Sequence, residues 1–265
     1  MMQEDEKIPF TSHLEELRHR IIVCLFATIA GLCISYYFKE KLFDFLVRPL
    51  VKVMGKEKLV LIYTSLPEAF FTYFKVAMIG GVILASPIIM YQFWMFMAPG
   101  LYRDERKLFA PLIILSVFFF LGGASFGYFV VFPVGFEFFL EFASENIKAM
   151  PSMGDYLSFA STLLLAFGLI FELPLVIVAM AKMGIVTVPF LRKNRKYAIL
   201  LFFIIAAILT PTPDAVNQCL MALPLCLLYE ISIFGAILFV KKKPIEEDEL
   251  SAAETVQEEK EADGI

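Results

Sequence analysis

Apolar residues in this chain run together in blocks of about 20, each closed by charges or turn residues, instead of alternating with polar ones. Coiled as an α-helix, a block of that length crosses the ~30 Å hydrocarbon core of a bilayer. Blocks at residues 20–38, 74–98, 108–132, 156–182, 197–212 and 215–239 predict an all-α, polytopic membrane protein with six transmembrane helices. The fifth is barely long enough. Only Thr210-Pro211-Thr212-Pro213-Asp214 separates it from the sixth, so the two are expected as a short hairpin that thins the bilayer locally.

Between the blocks the pattern changes. Before the first, Ser12 and Glu15 stand at S-x-x-E spacing and predict a capping box for an amphipathic entry helix. Residues 39–67 set Leu42, Phe43, Phe45, Leu46, Leu50, Val51 and Val53 among charges, which predicts a short helix on the outer membrane face. Residues 133–155 interleave Phe136, Phe138, Phe139, Leu140 and Phe142 with Glu137, Glu141 and Glu145, a second partly interfacial helix. Past Lys243 the chain is acidic and lacks aromatics, too polar to offset its ordering entropy. The expected organisation is a cytoplasmic amphipathic segment at 1–19, a six-span domain at 20–240 and a disordered acidic cytoplasmic tail at 241–265.

Composition agrees with a bilayer as solvent: 59% of the residues are hydrophobic and 29 are Phe. The run from Ile21 to Phe38 is too long for a signal-peptide core, and Tyr36-Tyr37-Phe38 offers no small-residue cleavage site, so the first span is expected to be retained. Lys and Arg crowd the side holding Lys7, Arg18, Arg20, Arg103, Arg106, Lys107, Lys182, Arg192, Lys193, Arg195, Lys196 and Lys241. That side reads as cytoplasmic, with both termini on it and the chain in the inner membrane. The first external loop, with Lys39, Lys41, Arg48, Lys52, Lys56 and Lys58, weakens the bias locally. Cys24, Cys33, Cys219 and Cys226 lie within spans without C-x-x-C spacing and read as packing residues.

Candidate chemistry is sparse. His13 and His19 both precede the first span, so the membrane interior can offer no Ser/His dyad, bis-His haem or H-E-x-x-H metal site, and an enzyme is not expected. No metal or cofactor is called for. Glu172 stands midway along the fourth block in Phe171-Glu172-Leu173-Pro174, where an ionised carboxyl costs several kcal/mol. Pro174 lacks an N–H and releases the carbonyl of Ile170, leaving a polar notch. Three readings stand for Glu172: a tie between spans, a docking point for a partner helix, or a proton site. Gln218 and Glu230 read as interhelical polar contacts in the sixth block. Glu16 beside Arg18, and Glu105 among Arg103, Arg106 and Lys107, are either solvated charge patterns or carboxylates that receive a partner's guanidiniums in bidentate fashion. Prolines 87, 111, 133, 174 and 224 predict bent spans and a concave bundle, because released carbonyls need neighbours. Pro99-x-Leu101-x-Arg103-x-x-Arg106-Lys107 echoes Pro189-x-Leu191-Arg192-x-x-Arg195-Lys196, either shared boundary chemistry or a duplicated half.

Several of these stretches carry a family resemblance. His13-Leu14-x-Glu16-Leu17-Arg18-x-Arg20, Arg48-Pro49-Leu50, Pro67-Glu68-x-Phe70, Phe96-x-x-Pro99-x-Leu101-x-x-x-Glu105-Arg106-Lys107, Phe171-Glu172-Leu173-Pro174, and the turn from Thr210 to Asp214 with Gln218 occur in order over residues 10–240. The chain resembles TatC, the integral subunit of the twin-arginine protein translocase. The resemblance implies a six-span, glove-shaped bundle. It would bind twin-arginine signal peptides of folded cargo and act with TatA- and TatB-like single-span partners, in a larger self-associated complex driven by the proton-motive force. By similarity Glu16, Arg18, Phe96 and Glu105 belong to the signal-binding surface. Glu172, Thr210 and Gln218 would contact partner helices, and Pro49 and Asp214 sit at functional positions. Thr212 adds a residue to the family's usual T-P-P-D turn, which shifts the register of Thr210 against Asp214.

The competing expectation is a proton- or ion-coupled small-solute transporter, with Glu172 and Glu230 as coupling carboxylates. Such a protein would tolerate changes at Glu16 and Glu105. An export receptor would not.

Overall fold

A computed structural model describes residues 10–55, 61–97, 109–141, 150–209 and 215–239. Its helices are α1 (Phe10–Tyr37), α2 (Lys39–Met54), α3 (Glu68–Met97), α4 (Phe109–Phe126), a π-helical turn (Gly127–Val131), α5 (Phe132–Glu141), α6 (Met153–Phe171), α7 (Leu173–Lys182), α8 (Val188–Lys193), α9 (Arg195–Leu209) and α10 (Ala215–Phe239). α1, α3, α4 to α5, α6 to α7, and α10 are each long and apolar enough to cross a membrane. α9, at 15 residues, is the short fifth rod that the sequence predicts. Phe26, Phe118 and Ile208 are 67%, 72% and 78% exposed on the outside of the bundle, a surface for lipid and not for water.

Helix boundaries depart from expectation in two places. Phe10 is already helical, so Ser12 lies inside α1 and not at its N-cap position. The helix expected in the second external loop is not separate. The π turn joins α4 to α5, with the Phe132 N–H bonding the Gly127 carbonyl five residues back. Pro133 follows at once, and its missing N–H and bulky ring disfavour ordinary i→i−4 bonding there. The acidic tail and the 210–214 turn lie outside the described residues, as does the first copy of the Pro-x-Leu echo.

α3 and α6 form the centre. Leu157, Ala160, Leu163, Leu164 and Phe167 recur at three- and four-residue spacing, and all are buried on the inward face of α6. α1 crosses α3 at two glycines: a Cβ on Gly31 would lie 2.6 Å from the Gly81 carbonyl oxygen. The hydrophobic effect draws nothing together inside lipid, so helices associate through such close backbone approach. Gly123 does the same for α4 on α6, where a Cβ would overlap the Phe167 carbonyl oxygen.

The face where α1 begins is called here the entry face, and the other the far face. At the far face Glu68 clamps two loops. Its Oε2 accepts from the Thr64 N–H at 2.6 Å and the Thr64 hydroxyl at 3.0 Å. Oε1 accepts from the Ser152 hydroxyl at 2.6 Å and the Gly154 N–H at 2.8 Å. Beside it Ile62 and Ser152 form an isolated bridge, with the Met153 N–H on the Ile62 carbonyl at 2.8 Å.

The helix crossings give a paired expectation. Gly81→Val forces backbone apart and lowers stability by about 3 kcal/mol or more, whereas Gly122→Ala, whose Cβ meets nothing within 4 Å, is neutral or slightly stabilising. Thermal unfolding of both variants in detergent checks this; equal melting would refute the close crossing.

Candidate functional site

Three groups of polar residues stand out against the apolar bundle. The first is at the entry face. The Arg20 guanidinium donates Nη2 and Nε to Glu16 Oε1 at 2.5 and 3.1 Å, one helical turn apart on α1. Its Nη1 reaches across to Gln92 Oε1 on α3 at 3.0 Å. One arginine fork therefore seats the start of α1 against the end of α3, and Phe96, half-buried, lies one turn beyond Gln92. Sequence reasoning set Glu16 beside Arg18. The structure pairs it with Arg20, because residues two apart on a helix point to different sides while residues four apart are neighbours. Arg18 is exposed. Glu105 lies outside the described residues.

The second group is in the interior. α6 ends at Phe171 and α7 begins at Leu173, so the predicted break falls at Glu172, whose own N–H turns back to the Leu169 and Ile170 carbonyls. Glu172 is 7% exposed. The Trp94 indole N–H donates to Ser116 Oγ at 2.9 Å, and the Ser116 hydroxyl in turn donates to Glu172 Oε2. This relay ties the break in the fourth span to α3 and α4. Glu172 Oε1 is buried and meets no donor among the described residues. Neither Trp94 nor Ser116 was singled out from the sequence; a lone Ser in an apolar run such as Ile113-Ile114-Leu115-Ser116-Val117 was the available signal.

Glu230 belongs elsewhere. Its carboxylate takes Arg195 Nη2 at 2.7 Å with both side chains about half exposed, at the level where α9 begins. Gln218 is half-buried and donates Nε2 to the Phe203 carbonyl at 3.0 Å, joining α10 to α9. Thr210 and Asp214 lie outside the described residues.

The third group explains Pro49. Buried inside α2, Pro49 lacks the N–H that would bond the Phe45 carbonyl, four residues back. The Tyr128 hydroxyl, presented by the π turn, donates to that carbonyl at 2.6 Å. Its ring also stacks on Phe45, 4.5 Å between centroids and 3° from parallel. The adjacent Leu46 carbonyl accepts from the Tyr156 hydroxyl of α6 at 2.7 Å. Released and neighbouring carbonyls thus dock α2 onto the core through Leu46, Val47 and Leu50, which are buried there, and α2 is more than an interfacial helix resting on lipid. Tyr128 and Tyr156 were legible only as aromatics in apolar blocks.

The family model described as TatC, Sec-independent protein translocase protein, matches residues 12–224. The Sec-independent protein translocase protein TatC of Desulforapulum autotrophicum is 57% identical over 263 residues, spanning 99% of this chain and 97% of that one. Its Escherichia coli K12 namesake is 37% identical over 241 residues, spanning 91% and 93%. A crystal structure of the twin arginine translocase receptor TatC superposes with a TM-score of 0.77 at 41% identity, over 85% of this chain and 98% of that one.

Two outcomes are expected. Tyr128→Phe orphans the Phe45 carbonyl and costs about 1–3 kcal/mol of stability. In a Pro49→Ala background, which restores an N–H for that carbonyl, the same change costs clearly less. A double-mutant cycle of thermal unfolding measures the coupling, and additive effects would dissociate Pro49 from Tyr128. Trp94 is the only tryptophan in the chain, so its emission reports the relay directly. Ser116→Ala should shift that emission, whereas an unaltered spectrum would argue against the Trp94–Ser116 bond.

Proposed function

The chain belongs to the TatC family of Sec-independent protein translocase proteins, and from that membership we propose that it is the subunit that reads twin-arginine signal peptides and passes folded cargo across the inner membrane. Its role is transport and not catalysis. The observation that supports the reading best is the Arg20 fork between Glu16 and Gln92. Two motifs more than 70 residues apart in sequence become one patch through it, with Arg18 and Phe96 at its edges.

In this reading the entry face is cytoplasmic, and both termini lie on that side. Glu16 and Glu105 supply carboxylates for a pair of incoming guanidiniums, a match of planar fork to carboxylate that lysine cannot reproduce. Arg18 and Phe96 complete the surface. Within the membrane Glu172, at the break between α6 and α7, is the polar group that a TatA- or TatB-like single-span helix would engage. Thr210 and Gln218 contribute at the far end, and Pro49 and Asp214 act by shaping the outer loops. Several copies assemble with these partners, and the proton-motive force drives transport. The ion pair of Glu230 with Arg195 leaves that carboxylate poorly placed to couple ions for a small solute.

Loss of one charge-assisted carboxylate–guanidinium contact costs about 1.5–3 kcal/mol, at least about tenfold in binding. Glu16→Ala and Glu105→Ala should each cut export of a folded reporter bearing an Arg-Arg signal by about that factor, in cells lacking the native protein. Undiminished export, or equal export of a Lys-Lys reporter by the unaltered chain, would count against signal reading.

A further inference from the structure

A groove of about 490 Å³ opens on the membrane-facing side of the bundle, between the last turns of α1, the middle of α3 and the π turn, with α2 above it. Its walls include Ile34, Phe38, Phe45, Leu84, Leu121 and Phe129. The polar atoms among its lining residues are few, and the Tyr128 hydroxyl is already bonded to the Phe45 carbonyl. Along α3 the wall runs from Val76 to Leu84, a rise of about 12 Å. One leaflet of the ~30 Å hydrocarbon core is about 15 Å deep, so the groove has the length of a single leaflet.

Charge stands at its mouth. Arg48 lies 5.9 Å from the Phe45 ring centroid, and Lys41 Nζ lies 5.8 Å from that of Phe38. Both rings line the groove. Both cations are exposed, and among the described residues neither forms an ion pair, although Glu40 and Asp44 share the same helix. Lys39 is differently placed, with its ammonium over the Tyr36 and Tyr73 rings. An apolar trough one leaflet deep, with two unpaired cations at the headgroup end, matches a phospholipid in shape and sign. Bulk lipid wets any apolar trough without preference, whereas basic residues at headgroup level select anionic lipids.

We propose that this groove is a binding site for one anionic phospholipid of the far leaflet. An acyl chain lies along α3, and Arg48 and Lys41 hold the phosphate. The inference requires only that the chain spans a membrane, and it stands or falls separately from signal reading.

The test is native mass spectrometry of the full chain in mild detergent, titrated with phosphatidylglycerol or phosphatidylcholine of identical acyl chains. The expected result is a preference for phosphatidylglycerol of about tenfold or more. Lys41→Gln with Arg48→Gln should bring the two lipids to near equality, and Ser125→Phe, which fills the trough, should reduce retention of both. Glycerol phosphate without chains should not compete, since the trough holds the acyl chain. Equal retention of both lipids by the unaltered chain would overturn the proposal, as would a full preference surviving in the doubly substituted protein. So would capture of an apolar signal segment, in place of lipid, by a photoreactive group at position 84 in lipid-replete membranes.

Discussion

A backbone carbonyl released by proline and buried in the bundle has no water to turn to and must find its donor in protein. This constraint shapes much of the bundle. Pro49 releases the Phe45 carbonyl, and the Tyr128 hydroxyl answers it from another helix. Pro87 releases the Ile83 carbonyl, and the Ser86 hydroxyl answers it locally at 2.8 Å. Pro174 releases the Ile170 carbonyl, and the backbone N–H of Glu172 turns toward it. The local answer leaves α3 continuous. The answer from afar welds α2 to the core, and the answer at Glu172 breaks a span and turns a carboxylate to the interior.

That carboxylate would be untenable alone. Glu172 is buried between apolar helices, and the relay from Trp94 through Ser116 gives one of its oxygens a donor. The other oxygen keeps its acceptor capacity, with no donor among the described residues. One half of the carboxyl therefore anchors the bundle, and the other half stays buried without a donor among the described residues. At the entry face Arg20 uses its whole fork to join α1 to α3. That seating brings the start of α1 and the end of α3 together on one side of the bundle.

The far face is organised by different means. Glu68 gathers donors from Thr64, Ser152 and Gly154 and so fixes the loop before α3 to the start of α6. With α2 held by two tyrosine hydroxyls, the outer rim becomes a fixed roof over the groove between α1 and α3. Close glycine crossings below keep that groove's walls at constant separation.

Much of this architecture is readable in one dimension. Apolar blocks of bilayer length set the spans, the shortness of the fifth block set the short α9, and Phe171-Glu172-Leu173-Pro174 marked both the break and its carboxylate. These features are local, governed by helical rise, hydrocarbon thickness and the missing N–H of proline. The pairing of Glu16 with Arg20 was equally local, and i,i+4 geometry contained it. What no local rule contains is which hydroxyl meets the Phe45 carbonyl 83 positions away, or which serine stands 56 positions from Glu172. Those partners depend on how each rod is rotated and where it crosses its neighbour. Glycines at 31, 81 and 123 set the crossings only once the opposing backbones are in contact. The chain by itself therefore determined the rods, their breaks and their polar groups, and tertiary packing alone decided which of those groups meet.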